Sequence, residues 1–334
     1  MTPRPVAVVT GGAGFIGSHM VDLLLERGHA VRAIDNLAGG RRENVAQHAA
    51  NPDFVLEERD IRSYPPEDPL FRGAQYVFHF AGIGDIVPSI ERPLEYMSTN
   101  VQGTAHMLEC ARAAGARKLV YAASSSCYGL AKTPTREDHP IAPQYPYALS
   151  KYQGEQAAFH WHQVYRLPVN SIRIFNAYGT RSRTSGAYGA VFGVFLRQKL
   201  AGKPFTVVGH GTQSRDFLYV TDVARAFLAA AETPHTGRVW NLGAGDPQSV
   251  NHLVELLGGE KIWIPKRPGE PDCTWADITR ISTELGWKPE VSFEEGVARI
   301  VADIDYWRNA PLWDPESISK ATKTWFDYLA PQGR

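Results

Sequence analysis

Tyr147-Ala148-Leu149-Ser150-Lys151 sets a phenol and an ammonium four residues apart, on one face if the segment is helical. A free phenol, with a pKa near 10, is a poor base at neutral pH. A neighbouring cation favours the phenolate, so the pair is suited to taking a proton from a hydroxyl. Read alone, the same spacing fits an ordinary surface helix pair. A run of hydroxyls, Ser124-Ser125-Ser126-Cys127-Tyr128-Gly129, follows an apolar strand candidate that ends near Ala123. Ligands sit at the C-terminal ends of strands in open α/β sheets. There the serines would hold a substrate oxygen beside Tyr147; in a plain turn they would bond locally.

A second constellation lies near the N-terminus. Thr10-Gly11-Gly12-Ala13-Gly14-Phe15-Ile16-Gly17 falls between an apolar run, Val6 to Val9, and a helical pattern from Phe15 to Leu25. Glycines 11, 14 and 17 permit a tight turn, close approach of backbone to a pyrophosphate, and close helix–strand packing, while the helix N-terminus offers N–H groups. Asp35 closes the next strand candidate, Ala30 to Ile34, where a carboxylate can accept bonds from an adenosine ribose. A carboxylate there repels a 2′-phosphate, so NAD is expected rather than NADP. Arg41 and Arg42 are read as a solvated pair.

The elements that must position these groups alternate. Strands are expected at Phe54 to Leu56, Tyr76 to Phe80, Leu119 to Ala123 and Val169 to Ile174, with helices around Val101 to Ala114 and Ala148 to Val164. Alternation implies parallel βαβ units and a Rossmann-like, doubly wound α/β sheet. The second half is less regular and punctuated by Pro and Gly. It is expected to form a smaller mixed substrate-binding lobe, 176–334, beside a cofactor domain, 1–175, to which some later segments return.

Bulk properties narrow the function classes. The 334 residues carry 35 Lys plus Arg against 35 Asp plus Glu, which gives no electrostatic reason to expect nucleic acid or an anionic membrane as partner. Cys110, Cys127 and Cys273 stand far apart, without a CxxC pair, so neither a disulfide framework nor a zinc site is expected and a reducing, cytoplasmic setting fits better. No stretch approaches membrane-spanning length. His160 and His162 are spaced i, i+2 on a helix and point apart, so no metal site is expected. Trp307, Trp313 and Trp325 read as packing residues.

TGGAGFIGS, HFAG, TNVQGT, SSSCYG, YALSK, RIFNAYG, RDFLYV and RPGEPD occur in this order. Together they resemble the extended short-chain dehydrogenase/reductases, and among them most the NAD-dependent relatives that include UDP-glucose 4-epimerase and UDP-glucuronate 4-epimerase. The resemblance implies roles by position. Phe15 and Ile16 would line the pyrophosphate site, Asp35 and Asn36 would face the adenosine ribose side, and Asp60 with Ile61 would hold adenine. Phe80, Ala81 and Gly82 would pass beneath the cofactor, and Asn100 would support the active site. Tyr147, Lys151 and Ser124 would be catalytic, with Ser125 beside the sugar. Asn176 would contact the nucleotide diphosphate, Thr206 and Val208 would frame its base, and Arg215 and Arg267 would bind its phosphates, although Arg215-Asp216 is also a possible local ion pair. A homodimer is implied, formed through the helix after Asn100 and the helix carrying Tyr147.

Three chemistries share such a scaffold. Dehydratases of this group place Asp-Glu after the active-site Thr or Ser, and its decarboxylases place Glu two residues after it; here those positions are Ser125 and Ser126. Without a carboxylate there, the expected outcome is epimerisation at C4 of a nucleotide-diphosphate sugar, a UDP-sugar in the first instance, through a transient 4-keto intermediate. A 4-dehydrogenase, a C3/C5 epimerase and a non-catalytic NAD-binding protein are the alternatives. Gly84-Asp85, His210 and the doubly basic Gly179-Thr180-Arg181-Ser182-Arg183 depart from the resembled pattern. Asp85 is expected to disfavour a uronic-acid sugar.

Overall fold

The computed structural model describes residues 4–184 and 191–329. Its centre is a seven-stranded parallel sheet. In chain order the first six strands are β1 (Val6–Thr10), β2 (Ala30–Asp35), β3 (Phe54–Glu58), β4 (Ala74–His79), β5 (Lys118–Ser124) and β6 (Val169–Ile174). The seventh, Arg238–Leu242, comes from far along the chain and pairs with β6. Across the sheet the order is Arg238–Leu242, β6, β5, β4, β1, β2, β3. The order reverses between β1 and β4, so their C-terminal ends open a crevice of the kind that binds ligands.

Both faces of the sheet are covered, which is why its strands read as continuous apolar runs. Ala7 and Val9 of β1 face one core with Met20, Val21 and Leu24 of α1 (Phe15–Glu26) and Phe227 of the helix Val220–Glu232. Val8 faces the opposite core, with Met107 and Leu108 of the helix Gly103–Ala113 and Ala158 of the helix Pro146–Tyr165. A third cluster, separate from the sheet, gathers Tyr178, Phe192, Phe205, Phe217, Phe293 and Trp307. Two-stranded sheets such as Lys261–Ile264 on Phe205–Val208 frame it.

The expected elements are present, with one informative difference. The helix expected from Val101 begins at Gly103, because Ser98–Gln102 forms a π-helical turn. Such turns often mark functional sites, and this one holds Asn100.

Candidate active site

The cofactor end is built from backbone. Gly11 has φ +68°, and a Cβ there would lie 2.9 Å from the Ala81 nitrogen. A Cβ on Gly17 would overlap the Gly11 carbonyl oxygen, so α1 meets the turn at a distance only glycine allows. Asp35 ends β2 and is buried. Its carboxylate accepts from the Ala13 N–H at 3.1 Å and the Leu37 N–H at 2.8 Å. Burial pushes its pKa up, against the pull of those N–H groups. The same carboxylate that could face a ribose therefore also shapes the glycine turn. Asn36 donates to Asp60 at 3.3 Å. Asp60 is engaged chiefly by Arg62 at 2.7 Å, which holds its carboxyl down to about 2, while Ile61 is buried behind it. Arg42 is taken up by Glu58, and Arg41 lies 5.2 Å over the Tyr306 ring.

A chain of buried hydrogen bonds ties this turn to the helix that carries Tyr147 and Lys151. The Ala81 N–H donates to Thr10 Oγ1 at 3.2 Å, and Thr10 Oγ1 lies 2.6 Å from His79 Nδ1. His79 Nε2 lies 2.9 Å from Thr104 Oγ1, which donates to the Asn100 carbonyl at 2.7 Å. With its own hydrogen spent on Asn100, Thr104 must accept from His79, so His79 carries its proton on Nε2 and Thr10 donates to Nδ1. Burial holds the imidazole down to about 3, and the nearby Lys151 charge adds to this. Asn100 clamps the loop after β4: its Oδ1 accepts from the Ile83 N–H at 2.9 Å, and its Nδ2 donates to the Ile83 carbonyl at 3.0 Å and to Ser150 at 2.9 Å.

The helix Pro146–Tyr165 starts with Pro146 in its first turn, where the missing N–H costs nothing. It lies close on the sheet because Gly154 leaves room for the Tyr121 hydroxyl. Tyr147 and Lys151 thereby reach the ends of β4 and β5. Burial raises the Tyr147 phenol from its usual value near 10, the nearby Ser124 hydroxyl pulls it back, and the Asp85 charge raises it. The Lys151 ammonium lies over the Tyr121 ring, 4.6 Å from its centroid. Burial lowers Lys151 to about 8, with Glu155 opposing. A Cβ on Gly82 would lie 3.7 Å from Lys151 Nζ, and one on Gly84 3.9 Å from the Tyr147 hydroxyl. The loop after Phe80 and Ala81 therefore runs beside both groups. Ser124 caps the turn Ser125–Tyr128, accepting from the Ser126 N–H at 3.2 Å.

The substrate end is assembled from distant segments. Arg215 and Arg267 converge on one carboxylate, Glu270: Arg215 at 2.8 Å, Arg267 at 2.7 and 2.9 Å. The alternative pairing of Arg215 with Asp216 does not form. Asp216 is fully buried and binds the backbone N–H groups of Ala244, Gly245 and Ala276. Asn176 accepts from Thr274 at 2.6 Å. A cleft of about 530 Å³ is lined by Val208, His210, Trp263, Lys266 and Glu270 among others. Thr206 does not line it; its hydroxyl is buried and accepts from Gln198 at 2.9 Å. The two arginines of the basic loop are paired, Arg181 with Asp22 at 2.7 Å and Arg183 with Asp85 at 2.5 Å.

Several participants escaped the sequence reading. Glu270 was legible only as part of RPGEPD. The buried pair Arg173–Glu155, at 2.6 Å, extends through Tyr128 to Asn241 behind the serine turn. Glu155 stands four residues after Lys151, which is the one local signal for it. Tyr145 stacks on Tyr147 with ring centroids 6.3 Å apart, and Trp325 from the last helix reaches Tyr145.

The residues present fit a bound NAD: the turn has a cradle that a Cβ would fill, and a buried ammonium stands beside Gly82 at its open end. Over residues 7–243 the chain matches the NAD dependent epimerase/dehydratase family, and it belongs to that family. UDP-glucose 4-epimerase from Mycolicibacterium smegmatis is 35% identical over 311 residues, covering 90% of this chain and 98% of that one. A solved UDP-N-acetylglucosamine 4-epimerase from Methanobrevibacter ruminantium superposes with a TM-score of 0.85 at 30% identity, covering 92% of this chain and 98% of its own. UDP-glucuronic acid 4-epimerase from Bacillus cereus, solved with UDP-glucuronic acid and NAD, gives 0.84 at 31% identity, covering 90% and 99%. The chain is an NAD-dependent member of a group rich in nucleotide-sugar 4-epimerases. Among the described residues no helix is long and apolar enough to cross a membrane.

Proposed function

We propose that this protein interconverts C4 epimers of a UDP-hexose through a transient 4-keto sugar. The observation that carries the reading is the placement of Tyr147 and Lys151 together beside Gly84 and Gly82 of the loop after β4, with serines at 125 and 126 where relatives of other chemistry place carboxylates. Gly11, Gly14, Phe15, Ile16, Gly17, Asp35 and Lys151 would hold NAD, with Asn100 fixing the loop of Gly82 against it. NAD, when bound, supplies a two-electron acceptor for C4. Tyr147 accepts the C4 hydroxyl proton and returns it after the ring has presented its other face, so no net proton is lost. Ser124 orders the hydroxyl and keeps the phenol from rising further. Lys151 binds the nicotinamide ribose and adds positive charge. Arg215 and Arg267 take the diphosphate, exchanging part of their pairing with Glu270 for phosphate oxygens. Asn176 lies on their path, and Val208 walls the base cleft. The two lobes, 1–175 with its returning strand and 176–334, would close on the sugar in a cytoplasmic homodimer.

The test is a screen of UDP-, GDP-, CDP- and TDP-sugars with deuterium at C4. Retention of label at an inverted C4 is the expected outcome. A second reading has one observation behind it: Asp85 directly follows Gly84, where a Cβ would lie 3.9 Å from the Tyr147 hydroxyl. As a carbon base it would abstract a proton at C3 or C5, and exchange of solvent deuterium into those positions would establish that reading instead. A monomeric mass by light scattering at micromolar concentration would remove the dimer from the proposal.

A further inference from the structure

The last helix, Pro315–Leu329, touches elements on two sides of the site. On one side Thr324 donates to Glu91 at 2.9 Å, at the end of the short helix Ile86–Glu91 that Asp85 begins. On the other, Ile318 packs on Val208 and Ile264 of the base cleft. Next to Thr324 on this helix is Trp325, whose side chain is buried. Its ring lies 5.2 Å from the Arg267 guanidinium and 6.5 Å from the Tyr145 ring, and Tyr145 in turn stacks on Tyr147, 6.3 Å away with planes 9° apart. Its indole N–H donates to the Pro268 carbonyl at 2.7 Å, which fixes the ring's orientation. Trp325 thus bridges the arginine that would take the diphosphate and the aromatic pair that carries the proton acceptor. The glycosyl group of a nucleotide sugar must span that interval.

We propose that Trp325 is a specificity-determining residue: the C-terminal helix straps the cleft shut and presents Trp325 as the wall against which the sugar ring is held between Arg267 and Tyr147. An indole edge and face offer apolar contact to the C–H faces of a neutral hexose while leaving hydroxyl recognition to Ser124 and Ser125. The cation–π contact with Arg267 couples the wall to the phosphate end, so sugar and diphosphate are sensed together. This inference rests on the nucleotide-sugar reading above and adds the element that measures the sugar.

Calorimetry on the NAD-loaded full-length protein tests it with two probes, UDP and UDP-glucose. Trp325→Ala should weaken UDP-glucose at least ten-fold and UDP less than three-fold, and KM should rise more than kcat falls. Trp325→Phe, which keeps an aromatic surface but loses the N–H bond, should recover most of the sugar-dependent part. Thr324→Val, an exposed change that only releases the strap from Glu91, should give a smaller loss of the same kind and serves if Trp325→Ala does not fold. Equal loss of UDP and UDP-glucose in the Trp325 variants, or no loss in any of the three, overturns the wall. A wild-type protein that binds neither probe overturns the nucleotide-sugar reading itself, and the wall with it.

Discussion

At the cofactor end, Asp35, His79 and Asn100 bond to backbone N–H and carbonyl groups or to neutral hydroxyls, and each is buried. At the substrate end, Arg215, Arg183 and Arg181 are held by carboxylates drawn from other segments, and Arg267 shares Glu270, three residues on, with Arg215. Backbone geometry cannot be exchanged, so the first region is set before any ligand arrives. Ion pairs can be traded for a phosphate of the same sign as the carboxylate they leave, so the second region can respond to its ligand. The contrast teaches that the two ends differ in what a ligand can change: on the proposed function, the first would keep its cofactor and the second would take in and release a charged substrate.

The sharpest way to break that division is at the chemistry between the two ends. Tyr147→Phe should lower turnover by roughly 100-fold or more, the usual worth of a positioned general base, with NAD content and melting temperature unchanged; near-normal turnover would dismiss Tyr147 as the proton acceptor. The rigidity of the cofactor end is tested by Gly17→Ala. The added methyl meets the Gly11 carbonyl, and the forced backbone shift should cost roughly 1–3 kcal/mol together with NAD retention, read by thermal melting and by absorbance of extracted cofactor. An intact melting temperature with full NAD content would mean the turn yields easily.

A third check uses pH. Lys151 is lowered from 10.5 to about 8 by burial, so in the cofactor-free protein it is charged below that pH and neutral above it. If its ammonium holds the ribose, the dissociation constant of NAD should be flat below pH 8 and rise about tenfold per unit above it, and Lys151→Met should remove the dependence along with much of the affinity. A flat profile in the wild type would sever Lys151 from cofactor binding.

At the exchangeable end, Glu270→Gln replaces the carboxylate that two mostly buried guanidiniums share with a neutral amide. Stability should drop by roughly 1–2 kcal/mol, and added UDP should restore it, giving a larger thermal shift than in the wild type. A smaller shift would show that Glu270 recognises the ligand rather than standing in for it. The smallest effect is expected at Asp85. Its pairing with Arg183 leaves little net charge facing the sugar, so Asp85→Asn should change the ratio of UDP-glucuronate to UDP-glucose turnover by no more than about threefold, the size of a partly exposed ion pair. A tenfold gain for the uronate would restore Asp85 as a repelling charge.

How much of this was legible in the chain follows the same division. The glycine turn, Asp35 and the strands around them announce themselves because the requirement is local: a missing Cβ, a five-residue apolar run, a carboxylate at a fixed interval. Tyr147 and Lys151 were legible through helical spacing; that the ammonium also lies over the Tyr121 ring, thirty positions away, was not. Asp85 and Arg183 were each visible as departures. Their pairing across 98 positions was not, and it changes the meaning of both.

By itself the sequence determined the alternation that makes a parallel sheet, the cofactor-binding turn, and the residue types able to move a proton at a strand end, since each depends on neighbours within a few residues. Only the tertiary structure decided which carboxylate each arginine meets, that His79 is a neutral link between Thr10 and Asn100, and that Trp325 closes on Tyr145. Apart from Arg267 and Glu270, which are three residues apart, those contacts join segments tens to hundreds of residues apart, and their energies depend on burial and distance, which exist only after the chain has folded.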